Sequence, residues 1–172
     1  MLYNRYMWII FVFSMFFSAC GYMFSGSGNF PAGIKNIYVT MLENRTSETG
    51  MENIVTNDLV YEFTKKNAKD TLANSKDRAE AILTGVIYSL GIDTISHKGT
   101  ITSLERRVKV SISLRLTDQS GKIIWYRENV SAHETYDVVS DKLRTEQNRR
   151  AAISALSKRL AERVYNSLTD DF

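Results

Sequence analysis

The sequence predicts an α+β fold, a two-layer sandwich in which a four-stranded mixed sheet carries two helices on one face, in the order β-α-β-β-β-α. Residues 104–117 alternate apolar and polar side chains, which is the pattern of a strand with one buried and one wet face. Residues 51–67 and 141–168 carry apolar side chains at helical spacing. Two such helices supply the covering layer that a half-apolar sheet needs.

The first 19 residues have the layout of a bacterial lipoprotein signal peptide. Arg5 precedes a run from Met7 to Phe17 that is apolar except for Ser14, and two small residues then lead into Cys20, the only cysteine of the chain. This pattern predicts cleavage before Cys20 and acylation of its thiol. The run is shorter than the roughly 20 residues that a spanning helix needs. The alternative is an uncleaved anchor helix in which the cysteine occurs by chance.

Residues 20–33 are predicted to be a lipidated tether, and residues 34–172 a single domain. Glycine and serine make the tether flexible. Its aromatic side chains indicate that part of it packs on another surface. They are Tyr22, Phe24 and Phe30.

The domain is predicted to begin with a strand over residues 34–42, a polar loop over residues 43–50 and the first helix. In the strand, Ile37, Val39 and Met41 share one face. A polar connection then leads to a second strand over residues 81–92. Five side chains are assigned to one face of that strand: Ile82, Val86, Tyr88, Leu90 and Ile92. Because a helix joins these two strands, they can pair in parallel.

The third strand, over residues 104–117, gives the clearest pattern in the chain. A polar loop over residues 93–103 precedes it, and its apolar side chains are Val108, Val110, Ile112, Leu114 and Leu116. Residues 118–121 have turn composition, with Gly121 able to adopt a positive φ. A fourth strand over residues 122–133 therefore pairs back in an antiparallel meander, and the second helix ends the domain.

No catalytic or metal-binding constellation is present in the sequence. The two histidines, His97 and His133, have no partner at metal-ligand spacing, and no Gly-x-Ser-x-Gly motif occurs. The chain has 22 basic and 19 acidic residues, a net charge of +3, which is too balanced for a nucleic-acid-binding protein. A binding role, without enzymatic activity, cofactor or nucleic acid, is therefore expected.

Several segments, taken in order, resemble the LptE family of lipopolysaccharide-assembly lipoproteins. Residues 20–26, Cys-Gly-Tyr-Met-Phe-Ser-Gly, are similar to the start of these proteins, as are residues 31–39 and 43–46. Residues 81–87 resemble the family's second strand, and residues 116–125 its hairpin. Thr40 departs from the proline expected after the first strand. The resemblance spans nearly the whole chain after Cys20 and is weakest in the last helix.

The resemblance implies a non-enzymatic lipoprotein of the outer membrane of a Gram-negative bacterium, facing the periplasm. Such proteins plug the lumen of the β-barrel LptD, help it assemble, and with it place lipopolysaccharide in the outer leaflet. No cofactor is implied beyond the N-acyl chain, such as palmitate, and the S-diacylglycerol on Cys20. Gly21 also fits outer-membrane sorting, since aspartate there would favour retention in the inner membrane. The alternative is a lipoprotein that scaffolds another envelope assembly or secretion complex.

Four basic residues are candidates for contact with the phosphates of lipopolysaccharide: Arg106, Arg107, Lys109 and Lys122. They are chosen by their position on or beside the wet face of the third strand, not from a family site. Basic side chains form charge-assisted hydrogen bonds with phosphates. The alternative explanation of these charges is an ordinary solvated sheet face.

Overall fold

The computed structural model describes residues 30–66, 71–97 and 104–169. Cys20, the predicted signal peptide and most of the predicted tether lie outside these residues. The elements in chain order are β1 (Ile37–Val39), β2 (Glu43–Asn44), α1 (Met51–Lys66), β3 (Ala81–His97), β4 (Leu104–Asp118), β5 (Ile123–Val138) and α2 (Lys142–Thr169).

The sheet is mixed, as predicted, and its order is β1-β3-β4-β5. β1 pairs in parallel with residues 81–83 of β3, and β2 pairs in parallel with Val86 and Ile87. The two short segments therefore act as one interrupted edge strand. β3, β4 and β5 form the antiparallel meander that the turn chemistry predicted. The α+β class, the order of elements and both helices are confirmed.

The first strand is shorter than predicted, and its interruption changes which side chains are buried. Regular pairing ends at Val39, so the alternation does not continue to Met41, which is 63% exposed, whereas Leu42 is buried. The predicted loop over residues 43–50 begins with β2. β3 continues to His97 and β5 to Val138, because both extend their pairing with β4 beyond the ends predicted from the sequence.

The face assigned to β3 is wrong over half of its length. Ile82 and Val86 pair with Thr117 and Ser113, on the side of the sheet away from the helices. A register shift between Ile87 and Ser89 marks a bulge, which moves the following residues to the opposite face. Leu90 and Ile92 consequently pair with the buried Val110 and Val108 and lie on the helix side.

The core lies between the sheet and the two helices. β4 supplies five buried side chains to it, Val108, Val110, Ile112, Leu114 and Leu116, as the alternation predicted. α1 buries Met51, Val55, Leu59 and Phe63. α2 buries a longer stripe that includes Ile153, Leu156, Leu160, Val164 and Leu168. Full burial of such side chains stabilises the fold by about 1.5–3 kcal/mol each.

The two helices run parallel, as shown by contacts between their N-terminal parts and between their C-terminal parts. At the first end, the Arg149 guanidinium of α2 donates two hydrogen bonds, of 2.6 and 3.1 Å, to the Glu48 carboxylate just before α1. At the other end, the Phe63 ring of α1 meets the Tyr165 ring of α2 with centroids 5.4 Å apart. Phe30 packs on Phe63 at 5.9 Å and is only 3% exposed. The end of the predicted tether is thus packed against the domain.

Gly85 lies where three elements approach one another closely. A Cβ at this position would be 2.6 Å from Leu114 Cδ2, 2.9 Å from the Ser113 carbonyl oxygen and 3.3 Å from Leu42 Cγ. The Ser113 oxygen belongs to the backbone and cannot move without disturbing β4. Glycine is therefore required for this spacing between β3 and its neighbours.

We expect Gly85→Ala to lower the free energy of unfolding by about 1–3 kcal/mol, because the added methyl group overpacks the core. Gly91→Ala, on the same strand, is the matched control: no atom lies within 4 Å of a Cβ at that position. Its effect should stay within about 0.5 kcal/mol. Urea denaturation measures both. Equal destabilisation by the two variants would contradict the close-packing argument.

A second expectation concerns acid stability. Hydrogen bonds from Arg149 and then from Arg150 lower the pKa of Glu146 from 4.5 to about 2. Since the pKa is lower in the folded than in the unfolded state, this contribution is complete above pH 4.5 and is lost as the pH falls through 2. Glu146→Gln should therefore be less stable than the wild type at pH 6, and the difference should shrink toward pH 2. Urea midpoints across this range measure it.

Glu162→Gln is the control for that experiment, since Glu162 is exposed on the same helix. Its unfolding is measured over the same pH range, so that the general effect of removing a carboxylate from α2 can be subtracted. A Glu146→Gln difference that does not depend on pH after this subtraction would contradict the assignment of Glu146 to this ion pair.

Candidate functional site

The face of the sheet opposite the helices carries the candidate site, and we call it the open face. Residues of β4 that alternate with the buried ones lie there, including Ser111, Ser113 and Arg115. Thr84 and Val86 of β3 lie beside them, as do Tyr126 and Glu128 of β5. Because β4 is buried on its other face, side chains of this face stand on a rigid strand at fixed spacing.

Two shallow depressions lie next to each other on the open face, with volumes of about 460 and 540 Å³. Arg45, Val86 and Ser113 line both. The first also contains Arg115 and Tyr126, and the second Tyr88 and Ser111. Their lining is rich in hydroxyl groups, with one guanidinium at the edge strand and one on β4. Two carboxylates, Glu43 and Glu128, also belong to the lining, so it offers hydrogen bonds and charges of both signs to a polar ligand.

Two bulges shape the middle of the open face. The β3 bulge places Tyr88 beside the second depression, and a β5 bulge places Asn129 opposite it with a φ of 56°. The Tyr88 hydroxyl donates a 3.1 Å hydrogen bond to the Asn129 side-chain oxygen, across β4. Asparagine tolerates a positive φ better than most residues, which suits it to this position. The two bulged residues therefore fix each other.

Paired charges occupy the rim of the first depression. Arg45 donates two hydrogen bonds to Glu43, of 2.7 and 3.1 Å, and these lower the pKa of the Glu43 carboxyl. The Tyr126 hydroxyl donates a 2.5 Å hydrogen bond to Glu128, which raises the pKa of Tyr126. The Arg115 guanidinium lies 5.7 Å from the centre of the Tyr126 ring. Arg115 therefore makes a cation–π contact and keeps its charge on the open face.

The structure brings two of the four candidate basic residues together and separates the other two. Arg107 and Lys109 are exposed on the open face, two residues and about 7 Å apart along β4. Arg106 lies on the helix side of the same strand, opposite Thr94 and Tyr136. Lys122 follows the β4–β5 turn, about 30 Å from Lys109 at the spacing of a strand.

Sequence reasoning missed Arg45 and underrated Arg115 as site residues. Arg45 stood in a predicted loop, and only the parallel pairing of β2 with β3 carries it to the open face. Arg115 shares the alternation that pointed to Arg107 and Lys109, so the same pattern could have included it. Of the aromatic residues on β5, Trp125 and Tyr136 are buried, and Tyr126 alone of these lines the site.

Other kinds of site are not found in the part of the chain that the structure describes. No three His, Cys, Asp or Glu side chains there are grouped to hold a metal ion. Neither helix of the described ranges has the length and apolarity to cross a membrane. Together, the mixed sheet and its two covering helices define a domain of the two-layer α+β class.

The chain belongs to the LptE family, described as lipopolysaccharide-assembly, whose model matches residues 34–168. This match covers most of the domain and agrees with the resemblance seen in the sequence. The family is non-enzymatic, and its members are lipoproteins of the Gram-negative envelope that act in lipopolysaccharide assembly. The protein is therefore a lipopolysaccharide-assembly lipoprotein. No curated protein matches the chain at a significant level.

Solved structures of lipoproteins are similar to this chain at low sequence identity. Lipoprotein B of Nitrosomonas europaea, described as uncharacterised, is 12% identical with a TM-score of 0.56, and the match covers 84% of this chain and 86% of that one. The rare lipoprotein B of Shewanella oneidensis is 14% identical with a TM-score of 0.48, covering 78% and 95%. A minor lipoprotein of Acinetobacter baumannii is 15% identical with a TM-score of 0.46, covering 80% and 93%. The first similarity supports the fold alone.

Proposed function

We propose that the protein is lipidated at Cys20, is anchored to the periplasmic side of the outer membrane and occupies the lumen of an LptD-type β-barrel. Together the two proteins would insert lipopolysaccharide into the outer leaflet. Membership of the LptE family carries this proposal. In it, residues 1–19 are the signal peptide that is removed, and residues 20–33 link the lipid to the domain.

The shape and polarity of the domain support a role as a plug. Barrel lumens are polar, so an occupant needs a polar outer surface on a body that keeps its shape. The open face supplies hydroxyl groups and paired charges, and the opposite face of the sheet is covered by both helices. The Glu48–Arg149 contact and the Phe63–Tyr165 contact fasten those helices to each other at both ends.

The lipid on Cys20 would hold the domain near its partner. Confinement to one membrane raises the effective concentration of two partners without any new contact between them. The burial of Phe30 against Phe63 supports a firm mechanical link, since the chain is already packed on the domain ten residues after Cys20. Attachment and domain would therefore move as one unit from residue 30 onward.

Lipopolysaccharide would contact the open face through Arg107 and Lys109. Both are exposed on one rigid strand, and neither makes an ion pair within the described residues. Their spacing of about 7 Å suits two separate phosphate oxygens or two phosphates of one headgroup. Arg106 and Lys122, the other two candidates from the sequence, lie apart from this pair, on the helix side and beyond the β4–β5 turn, so they provide the comparison for it.

Affinity capture from detergent-solubilised outer membranes tests the role as a plug. We expect an LptD-type barrel to be the dominant partner of the wild-type protein. Capture by Cys20→Ala should fall at least about tenfold, because this variant loses its confinement to the membrane. Quantitative mass spectrometry measures both. A dominant partner from another envelope assembly or secretion complex would replace this proposal with the scaffold alternative.

Charge reversal tests the lipopolysaccharide contacts. The double variant Arg107→Glu/Lys109→Glu should bind purified lipopolysaccharide at least about tenfold more weakly, since two charge-assisted hydrogen bonds are replaced by repulsion. Arg106→Glu/Lys122→Glu makes the same change in net charge at separated positions and should retain most of the binding. Equal losses in the two double variants would show an effect of net charge and sink the assignment to Arg107 and Lys109.

A further inference from the structure

Among the residues that the structure describes, none pairs with the outer edge of β3 over the second half of this strand. β1 and β2 cover this edge only as far as Ile87, whose carbonyl oxygen accepts the last hydrogen bond, from the Arg45 N–H at 2.9 Å. From Ser89 to Thr94, β3 pairs with β4 on its other side. No described strand lies against the outer side of this segment, which we call the free edge.

The register identifies the backbone groups that the free edge presents. Ser89, Gly91 and Asp93 are opposite Ser111, Lys109 and Arg107 of β4. Before the bulge, the carbonyls of Leu83 and Ile87 point outward, since they accept hydrogen bonds from Thr40 and Arg45. The bulge shifts this alternation by one residue. The outward N–H and C=O groups of the free edge are therefore those of Leu90, Ile92 and Thr94.

The opposite edge of the sheet is formed by β5, and side chains of α2 block part of it. On β5, the outward carbonyl of Ser131 accepts a hydrogen bond from the Arg163 guanidinium of α2. The outward carbonyl of Asp137 accepts one from the Asn148 side chain of the same helix, at 2.9 Å. No described side chain does the same for the free edge of β3. Exposed edges are normally blocked in this way, or by lysine or proline within the strand.

The side chains of the free edge are suited to a neighbouring strand. Residues 89–95 contain no lysine or proline, and Ile92 and Ile95 are 41% and 37% exposed. On the open face, Gly91 leaves a gap, because no atom lies within 4 Å of a Cβ at that position. Lys109 stands directly behind this gap on β4, whereas Arg107 stands behind Asp93. A side chain on an added strand could therefore reach Lys109 across Gly91.

We infer that the free edge of β3 binds an extended segment of a partner protein as an additional strand, and that this segment alternates apolar and acidic residues. Its backbone would pair with Leu90, Ile92 and Thr94. Its apolar side chains would lie beside Leu90 and Ile92 on the helix side. Its acidic side chains would lie on the open face, and one of them would pair with Lys109 across Gly91. This inference goes beyond the proposed function and requires neither the barrel nor lipopolysaccharide.

Charge complementarity favours such a segment over a second copy of this chain. A second copy would bring its own free edge, whose open-face residues are Ser89, Gly91 and Asp93. The two copies together would bring two Asp93 carboxylates for four cations, two Lys109 and two Arg107, and each Asp93 is already opposite the Arg107 of its own chain. A segment with acidic residues at alternate positions supplies additional carboxylates that can pair with Lys109.

The probe for this inference is a labelled nine-residue peptide in which glutamate alternates with valine, added to the full-length protein in detergent. Fluorescence anisotropy should show saturable binding, at least about tenfold weaker for the same peptide with lysine in place of glutamate. Ile92→Pro should weaken binding by at least about tenfold, since it removes an outward N–H without breaking a bond to β4. Thr135→Pro makes the same change on the protected β5 edge and should bind as the wild type does.

Three outcomes would overturn the inference. The first is that Ile92→Pro binds the glutamate peptide as tightly as the wild type does. The second is that a peptide methylated at alternate backbone nitrogens binds as tightly as the unmethylated peptide. The third is that the protein forms a dimer that Ile92→Pro dissociates but the peptide does not. If circular dichroism shows Ile92→Pro to be unfolded, Lys109→Glu replaces it. Lys109→Glu should then prefer the lysine peptide over the glutamate peptide, and an unchanged preference counts against the inference. None of these results depends on the capture of the barrel.

Discussion

Apolar and polar side chains alternate along β4, and both the core and the open face follow from this alternation. β4 is paired on both sides, with β3 and with β5, and its five apolar side chains lie under the helices. A shift of its register by one residue would move Arg107, Lys109 and Arg115 into the core and expose the apolar set. One periodic pattern therefore decides both the burial of the core and the composition of the open face. The buried face of β4 stabilises the fold, and its other face carries the side chains of the candidate site.

The sequence was sufficient where a pattern is long and local. Both helices and the meander follow from repeated spacing and from turn residues, and they appear within a few residues of the predicted bounds. It was insufficient where pairing is interrupted. The bulge in β3 has no clear mark in residues 86–90, so the helix-side positions of Leu90 and Ile92 could not be assigned from alternation alone. Bulges depend on tertiary contacts, which periodicity does not encode.

Part of the candidate site could be predicted from the sequence, because that part lies on a long regular strand. Arg107 and Lys109 lie on the longest regular strand, and their common face could be predicted. Arg45 reaches that face only through a parallel pairing between residues more than forty positions apart, and the Tyr88–Asn129 contact needs two bulges at once. Such features arise from long-range register, so sequence spacing cannot reveal them. The family match explains the role of the domain, but the arrangement of its open face comes from these local irregularities.

The parallel alignment of the two helices has an electrical consequence. Peptide dipoles that point the same way add, so both positive ends lie on the side of Glu48 and both negative ends lie on the side of Phe30. Carboxylates stand at the first end, including Glu52 and the Asp141 cap of α2, and Lys65 and Lys66 stand at the second. These charges oppose the dipoles and reduce the field along the molecule. The packed connection at Phe30, rather than electrostatic steering, would then set which end of a tethered domain faces a membrane.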